Sequence, residues 1–333
     1  MKNSAWVIQK PSVGPYKADV LALEDRPLSP LQENQVQLKS LFLSLDPSNL
    51  MWLKLLPGWM EEVNIGDIMK GPSIAIVEDS NSVNFKAGDF VTGPINWSTR
   101  STISANLLKK INHPEQRPLE TNITVFSHVG LAAIIGTQEI AKIKNGETVL
   151  VSGAAGATGS LACQIALAKG CRVIGIAGGQ KKCQWLIDEL GISAAIDYKN
   201  ENVPESLAKI CPEGPEVFFD NVGGALLDSI LPLLKVNARI TICGQISQYG
   251  NTGEGYAYKN LFAFLMLRLR MEGFVVPDFD TDAHRLTTEL AELYDKGLLK
   301  DKPHILKGIE TAAKGLEMLL SGQNHGKLLV RLD

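Results

Sequence analysis

From about residue 146 onward, short apolar runs alternate with helix-like stretches, and few folds accept such a pattern. ETVLVSG reads as a buried strand, followed by a helix through LACQIALAKG. CRVIGIAG is a second strand, and KKCQWLIDELG a second helix ending at Gly191. AAIDY is a third strand and EVFFDNVG a fourth, with the helix ALLDSILPLLK after it. ARITICG is a fifth, and the helix NLFAFLMLRLR leads to a sixth, MEGFVV. β-rich runs joined by helical crossovers build parallel βαβ units. Six strands make the full doubly wound count.

The turn after the first strand sharpens this expectation. In VSGAAGATGSLACQIA, Ala154, Gly156 and Gly159 occupy the three small-residue positions of a dinucleotide fingerprint, with Ala in the first. A tight turn, a backbone that approaches a pyrophosphate and a helix packed closely on its strand all demand small residues there. The helix start, Ala157, Thr158, Gly159 and Ser160, then offers amides to an anion. The second strand distinguishes between cofactors. An NAD site carries a carboxylate about 20 residues on for the ribose hydroxyls, but Ile176-Ala177-Gly178-Gly179 has none. Lys181 and Lys182 follow instead, and a lysine pairs with a 2′-phosphate that a carboxylate would repel. NADPH is the expected cofactor.

Residues 1 to about 122 have another texture, short apolar runs broken by turns, as in VQLKSLFLSLDP and FKAGDFVTGPI. They read as an irregular all-β unit, and the terminal HGKLLVRL as a strand that returns to it. With 33 basic and 36 acidic residues, the net charge is −3, which gives no basis for a nucleic-acid or membrane-surface partner. The expected partner is a small molecule. MKNSAWVIQKPSVG carries no apolar signal core, and no apolar run reaches the roughly 20 residues of a span, so the expected location is cytoplasmic. The five cysteines, Cys163, Cys171, Cys183, Cys211 and Cys243, read as buried free thiols. No cysteine precedes Cys163, and His113 and His128 lack companion ligands, so no zinc set can be assembled. No GxSxG elbow is present either. Direct hydride transfer from a nicotinamide remains.

The stretches GETVLVSGAAGATGS, AGGQKKC, IDYKNE, FDNVGG, ICGQISQYGN, RLRMEGFVV and NHGKLLV together resemble the zinc-free branch of the medium-chain dehydrogenase/reductase superfamily. Within it the chain is similar to the leukotriene B4 dehydrogenase, prostaglandin reductase and alkenal double-bond reductase group. The likeness implies an α/β chain with two domains. A GroES-like β-rich substrate domain would take residues 1–122 with 305–333 returning to it, and a Rossmann NADPH domain residues 123–304. It implies NADPH-dependent reduction of a carbon–carbon double bond conjugated to an aldehyde or ketone. By the same likeness, Ala157 to Ser160 would hold the pyrophosphate, and Lys182 and Tyr198 the 2′-phosphate. Asn221 would face the cofactor. Cys243, Gly244, Gln245, Ile246, Ser247, Gln248 and Tyr249 would line the nicotinamide ribose. The backbone of Phe274, Val275 and Val276 would meet the carboxamide, and Asn324 would close over the cofactor.

The chain departs from the family at Ser48 and Leu50, where relatives read Asp-Pro-Tyr-Met-Arg, and at Ala132 and Ile134, where they read Gly-Leu-Thr-Ala-Tyr. An altered substrate pocket is therefore expected, and a quinone reductase or a non-catalytic NADPH-binding protein remain as alternatives. Tyr249, just past the fifth strand, is the candidate donor to the enolate that hydride addition generates. A homodimer is expected through the apolar helix at Leu261–Leu267 and the strand at Gly273–Val276, because an open edge strand invites pairing across a two-fold axis.

Overall fold

The computed structural model describes residues 3–53, 63–249 and 255–332. Two compact units divide the chain. One contains Val125–Tyr249 and Gly253–Lys302, the other Met1–Thr124 and Pro303–Asp333.

The first of these is a Rossmann domain. Its strands are β1 (Thr148–Ser152), β2 (Arg172–Ala177), β3 (Ala194–Asp197), β4 (Val217–Asp220), β5 (Arg239–Ile242) and β6 (Arg270–Gly273). They form one parallel sheet in the order 3-2-1-4-5-6, the doubly wound arrangement in which ligands meet the carboxyl ends of the strands. Strands β1 and β4 are buried along almost their whole length, which is why VLVS and VFFD carry no polar alternation. Helices cover both faces. Before β1 comes α1 (His128–Ile134), capped by the Ser127 hydroxyl and running into a π-helical turn at Ile135–Ile140. The crossovers are α2 (Ala157–Ala168), α3 (Gln180–Asp188), α4 (Val203–Ile210), α5 (Gly224–Ile230) and α6 (Phe262–Leu267), and α7 (Ala283–Asp295) follows β6.

One face of the sheet joins Val149, Val151, Val217 and Phe219 to α1, α2 and α7 in a single core. The other joins Leu150, Ile174, Phe218 and Ile240 to α4 and α5. Phe218 and Phe219 thus serve opposite faces, as successive strand residues must. Each is fully buried, and each such burial contributes about 1.5–3 kcal/mol.

The last crossover differs from expectation. The helix expected over NLFAFLMLRLR ends at Leu267, where Arg268 adopts a left-handed φ of 52°. The sixth strand is then Arg270–Gly273, not the Gly273–Val276 segment. Gly273 pairs with Ile242, the last residue of β5, so nothing remains for Phe274 to pair with. Pro277, which has no N–H, then turns the chain into a 3-10 helix at Val276–Phe279.

The other unit is β-rich and GroES-like. Its main sheet is built around Gln35–Leu45 and Lys70–Ser80, which pair antiparallel. The terminal strand Lys327–Arg331 returns to this sheet, with Leu328 opposite Leu45, and Pro303–Lys307 adds parallel to it. Lys327 and Asp46 form a buried ion pair there. Among the described residues, no helix in either unit is long and apolar enough to cross a membrane.

Candidate active site

The carboxyl edge of the Rossmann sheet begins with the glycine-rich turn. Gly153 takes a positive φ of 58°, and Gly156 caps α2. A Cβ on Gly159 would lie 2.3 Å from the Gly153 carbonyl oxygen and 2.9 Å from the Ala154 Cα, so only glycine lets α2 press on this turn. Ala154 shapes the turn from below. It is fully buried, its amide donates to the Ile176 carbonyl (3.0 Å), and its methyl occupies the space that a Gly175 side chain would need. One expectation needs correction. The Ser160 amide is not open to an anion, because it donates to the Gly156 carbonyl at 3.0 Å. With Gly156 as cap, Ser160 is the first residue whose amide reaches a helical partner. The amides ahead of that bond, in the first turn of α2, are those of Ala157, Thr158 and Gly159. The Ser160 hydroxyl also turns inward, to the Ala157 carbonyl (3.1 Å).

Tyr198 and Lys199 meet beside Gly178. The Tyr198 hydroxyl would be 2.9 Å from a Gly178 Cβ, and the Lys199 side chain 3.0 Å. Lys182 is half-buried, and burial first, then the like charge of Lys199, pulls its pKa down. One lysine and a phenol thus crowd the glycine step, a second lysine lies within electrostatic reach of the first, and a phosphate dianion between the two cations would favour both charged forms. Lys199 was not among the residues expected here. Nor was Asp197, a carboxylate that reaches this loop from β3 rather than β2. It accepts from the Gly179 amide (2.7 Å), the Lys199 amide (3.1 Å) and Asn200 Nδ2 (2.7 Å). Burial raises its pKa, but these bonds outweigh it and hold the carboxyl below its ordinary range. Asp197 therefore spends its charge on the loop's own donors. No spacing rule signals it, because its partner lies on another strand.

The loops after β4 and β5 form the other half of the edge. Asn221 lies just past β4, and its Nδ2 donates to the Ser152 carbonyl (2.7 Å). Cys243, Gly244 and Gln245 follow β5, and Ile246–Gln248 is a 3-10 turn. The Ile246 amide donates to the Asn221 carbonyl (3.2 Å), and the Ser247 amide and hydroxyl to that of Val222 (3.1 and 2.7 Å). Gly223 has a φ of 68°, and a side chain there would strike Gln245. The Tyr249 hydroxyl accepts from the Gln245 amide (3.3 Å) and faces Gly244. Burial raises its pKa, the Gln245 amide opposes that, and Cys243 adds to it. The phenol is therefore neutral at physiological pH, with its proton available to donate.

The remaining expected residues are less concentrated. Phe274 packs toward Gly136 in the π-turn and lies edge-on to Phe279. The Val275 carbonyl is taken by the Asp278 amide (3.1 Å), and Val276 opens the following turn. Asn324 belongs to the β-rich unit, is buried, and donates to the Gly326 carbonyl (2.8 Å). Of the four departures from the family pattern, Leu50 and Ile134 are buried, Ile134 within the Rossmann core, whereas Ser48 and Ala132 keep some exposure. Among the described residues, no three His, Cys, Asp or Glu side chains gather as a metal set.

Residues 4–111 match the family described as the N-terminal domain of oxidoreductase, and residues 157–293 match one described as zinc-binding dehydrogenase. The NADPH-dependent curcumin reductase of Escherichia coli is 32% identical over 99% of this chain and 97% of its own. Prostaglandin reductase 1 of Rattus norvegicus is 33% identical over 99% of each. The crystal structure of CurA from Vibrio vulnificus in complex with NADPH superposes with a TM-score of 0.93, at 32% identity over 99% of each chain. The chain belongs to the medium-chain dehydrogenase/reductase superfamily, in its prostaglandin, curcumin and alkenal reductase group. That group is NADP-dependent and reduces double bonds. The cluster around Gly178 and the helix start at Ala157 fit such a cofactor.

Proposed function

We propose that this protein is an NADPH-dependent reductase of α,β-unsaturated aldehydes or ketones. Bound NADPH would supply a hydride to the β-carbon of the conjugated double bond. The protein's own residues would do the rest. Ala157, Thr158 and Gly159 would direct amides at the pyrophosphate, while Lys182, Lys199 and Tyr198 would hold the 2′-phosphate. As negative charge develops on the carbonyl oxygen, a donor must already be aimed at it. Tyr249 would be that donor, together with the ribose 2′-hydroxyl, and would relay the proton. The observation that carries this role is the half-buried, neutral Tyr249 hydroxyl braced on the Gln245 amide past the carboxyl end of β5.

The test is a steady-state panel of an enone, an enal and a quinone, followed by NADPH absorbance. Turnover of the enone or enal above the quinone is expected. Preference for the quinone would make it a quinone reductase, and NADPH binding with no turnover of any conjugated carbonyl would make it a non-catalytic binder.

We also propose a homodimer formed through the β6 edge. β6 ends the sheet, all four of its residues are exposed, and Phe262 (68%), Leu265 (69%) and Met266 (55%) of α6 are exposed beside it in sequence. Exposed apolar groups next to an open edge favour a partner, and a second copy satisfies both at once. The free thiols, four of them buried, suit a reducing cytoplasm.

A further inference from the structure

Asp220 closes β4 and is fully buried, yet it has no part in the chemistry assigned so far. Its carboxylate fans out to three donors. Oδ1 accepts from the Ser152 hydroxyl (2.6 Å) and the Val222 amide (3.0 Å), and Oδ2 accepts from the Gly223 amide (2.9 Å). The Ser152 hydroxyl in turn accepts from the Asn221 amide (2.8 Å). Every amide from Asn221 to Gly223 is thereby bound inward, directly or through Ser152.

That fixes where the loop's carbonyls lie. Those of Asn221 and Val222 receive the amides of Ile246 and Ser247 and the Ser247 hydroxyl. The turn they hold carries Tyr249, whose amide donates to the Ile246 carbonyl (3.3 Å) and whose hydroxyl rests on the Gln245 amide. A path of hydrogen bonds joined by short stretches of backbone therefore runs from one buried carboxylate to the phenol. We propose that Asp220, with Ser152, is the positioning residue for Tyr249, and that it sets the place of the hydroxyl without touching substrate. Asp220's role rests on the assignment of Tyr249 as the donor.

A carboxylate that merely braced the Rossmann core would act independently of Tyr249, and a double-mutant cycle separates the two cases. Asp220→Asn preserves Oδ1 for Ser152 and Val222 but sets an amide nitrogen against the Gly223 N–H. The measurements are kcat and KM with NADPH and an enone for the wild type, Asp220→Asn, Tyr249→Phe and the double variant. Asp220→Asn alone is expected to lower kcat about tenfold to a hundredfold, the scale for misplacing a catalytic group by about 1 Å, with a smaller change in the KM for NADPH. In the Tyr249→Phe background, the same substitution is expected to cost little in kcat. If Tyr249→Phe slows turnover but Asp220→Asn costs the same factor in both backgrounds, Asp220 is structural and the inference fails while the donor role stands. If Tyr249→Phe alone leaves kcat at the wild-type value, the donor role fails and the inference with it. Should Asp220→Asn not fold, Ser152→Ala enters the same cycle. It removes the hydroxyl between Asp220 and the Asn221 amide, and the same two results support or overturn the proposal.

Discussion

Around β1 to β3, the carboxyl edge of the sheet depends on residues chosen for absence or for charge. Gly159 matters because a Cβ would collide with the Gly153 carbonyl, and Lys182 matters because it is a cation within electrostatic reach of Lys199. Around β4 and β5, the edge depends on which loop atoms bind which. Asp220, Ser152, Val222, Ser247 and Gln245 form a lattice of hydrogen bonds, and few of them are distinctive residues on their own. One half of the edge is a composition, the other a geometry. In the first, a substitution should act on cofactor affinity. In the second, it should act on turnover.

The largest expected effect probes the second half. Tyr249→Phe keeps the ring and deletes the hydroxyl. Removing one donor of this kind costs about 10²–10³ in kcat. The KM for NADPH should stay close to wild type, because the residues proposed to hold the phosphates lie in the other half. An unchanged kcat with NADPH still bound would make the ring a pocket wall.

Lys182→Ala is the mirror experiment. A charge-assisted hydrogen bond contributes about 1.5–3 kcal/mol, so the KM for NADPH should rise about ten- to a hundredfold. The KM for NADH should hardly change, and kcat at saturating NADPH should survive. Lys199→Ala should act in the same direction and less strongly, since Lys199 is the more exposed of the two. Equal use of NADH and NADPH by the wild type would refute the 2′-phosphate role of both.

The same contrast governs what could be read from the sequence. The glycine turn was legible because a tight turn against a helix accepts few residue types, whatever surrounds it. Asp197 and Lys199 were not, because they reach Gly178 and Gly179 from the next strand and no linear spacing records that approach. The Ser160 amide was misassigned by a single helical position, since everything depended on Gly156 being the cap. The sixth strand was misplaced because its limit is set by its partner. β5 stops at Ile242, so β6 stops at Gly273, although FVV looks the more strand-like run. In the β-rich unit, the terminal HGKLLVRL was legible as a returning strand; the burial of Leu50 there and of Ile134 in the Rossmann unit was not, and it leaves Ser48 and Ala132 as the family departures with surface to offer.

A smaller effect is expected away from the catalytic edge. Leu265→Glu introduces a charge on the exposed face of α6, where the side chain is 69% exposed. If that face meets a second copy, the dimer Kd should weaken roughly tenfold or more, the scale of losing one well-packed interface residue. Light scattering at micromolar concentration reads it directly. A wild-type monomer there would remove the dimer, and kcat should be the same for both proteins if neither half of the site depends on the partner.

The smallest expected effect is none at all, from chelators. One matching family carries zinc in its description, and a bound zinc would replace the Tyr249 hydroxyl as the natural stabiliser of developing charge. Zinc takes thiolates, imidazoles and carboxylates in groups of three or four. The five thiols of this chain all follow residue 162, burial pushes Cys163 up to about 12 and Cys171 and Cys183 up to about 11, and among the described residues no three His, Cys, Asp or Glu side chains gather as a metal set. Cys243 stands closest to the chemistry, past β5, and burial, with Asp220 adding to it, pushes its thiol up to about 12 as well. Turnover after exhaustive dialysis against EDTA or phenanthroline should therefore match the untreated enzyme, and elemental analysis should find far less than one zinc per chain. One zinc per chain, with activity lost on its removal and restored on its return, would transfer the enolate to the metal. Tyr249 and the hydrogen-bond lattice behind it would then be left as scaffold.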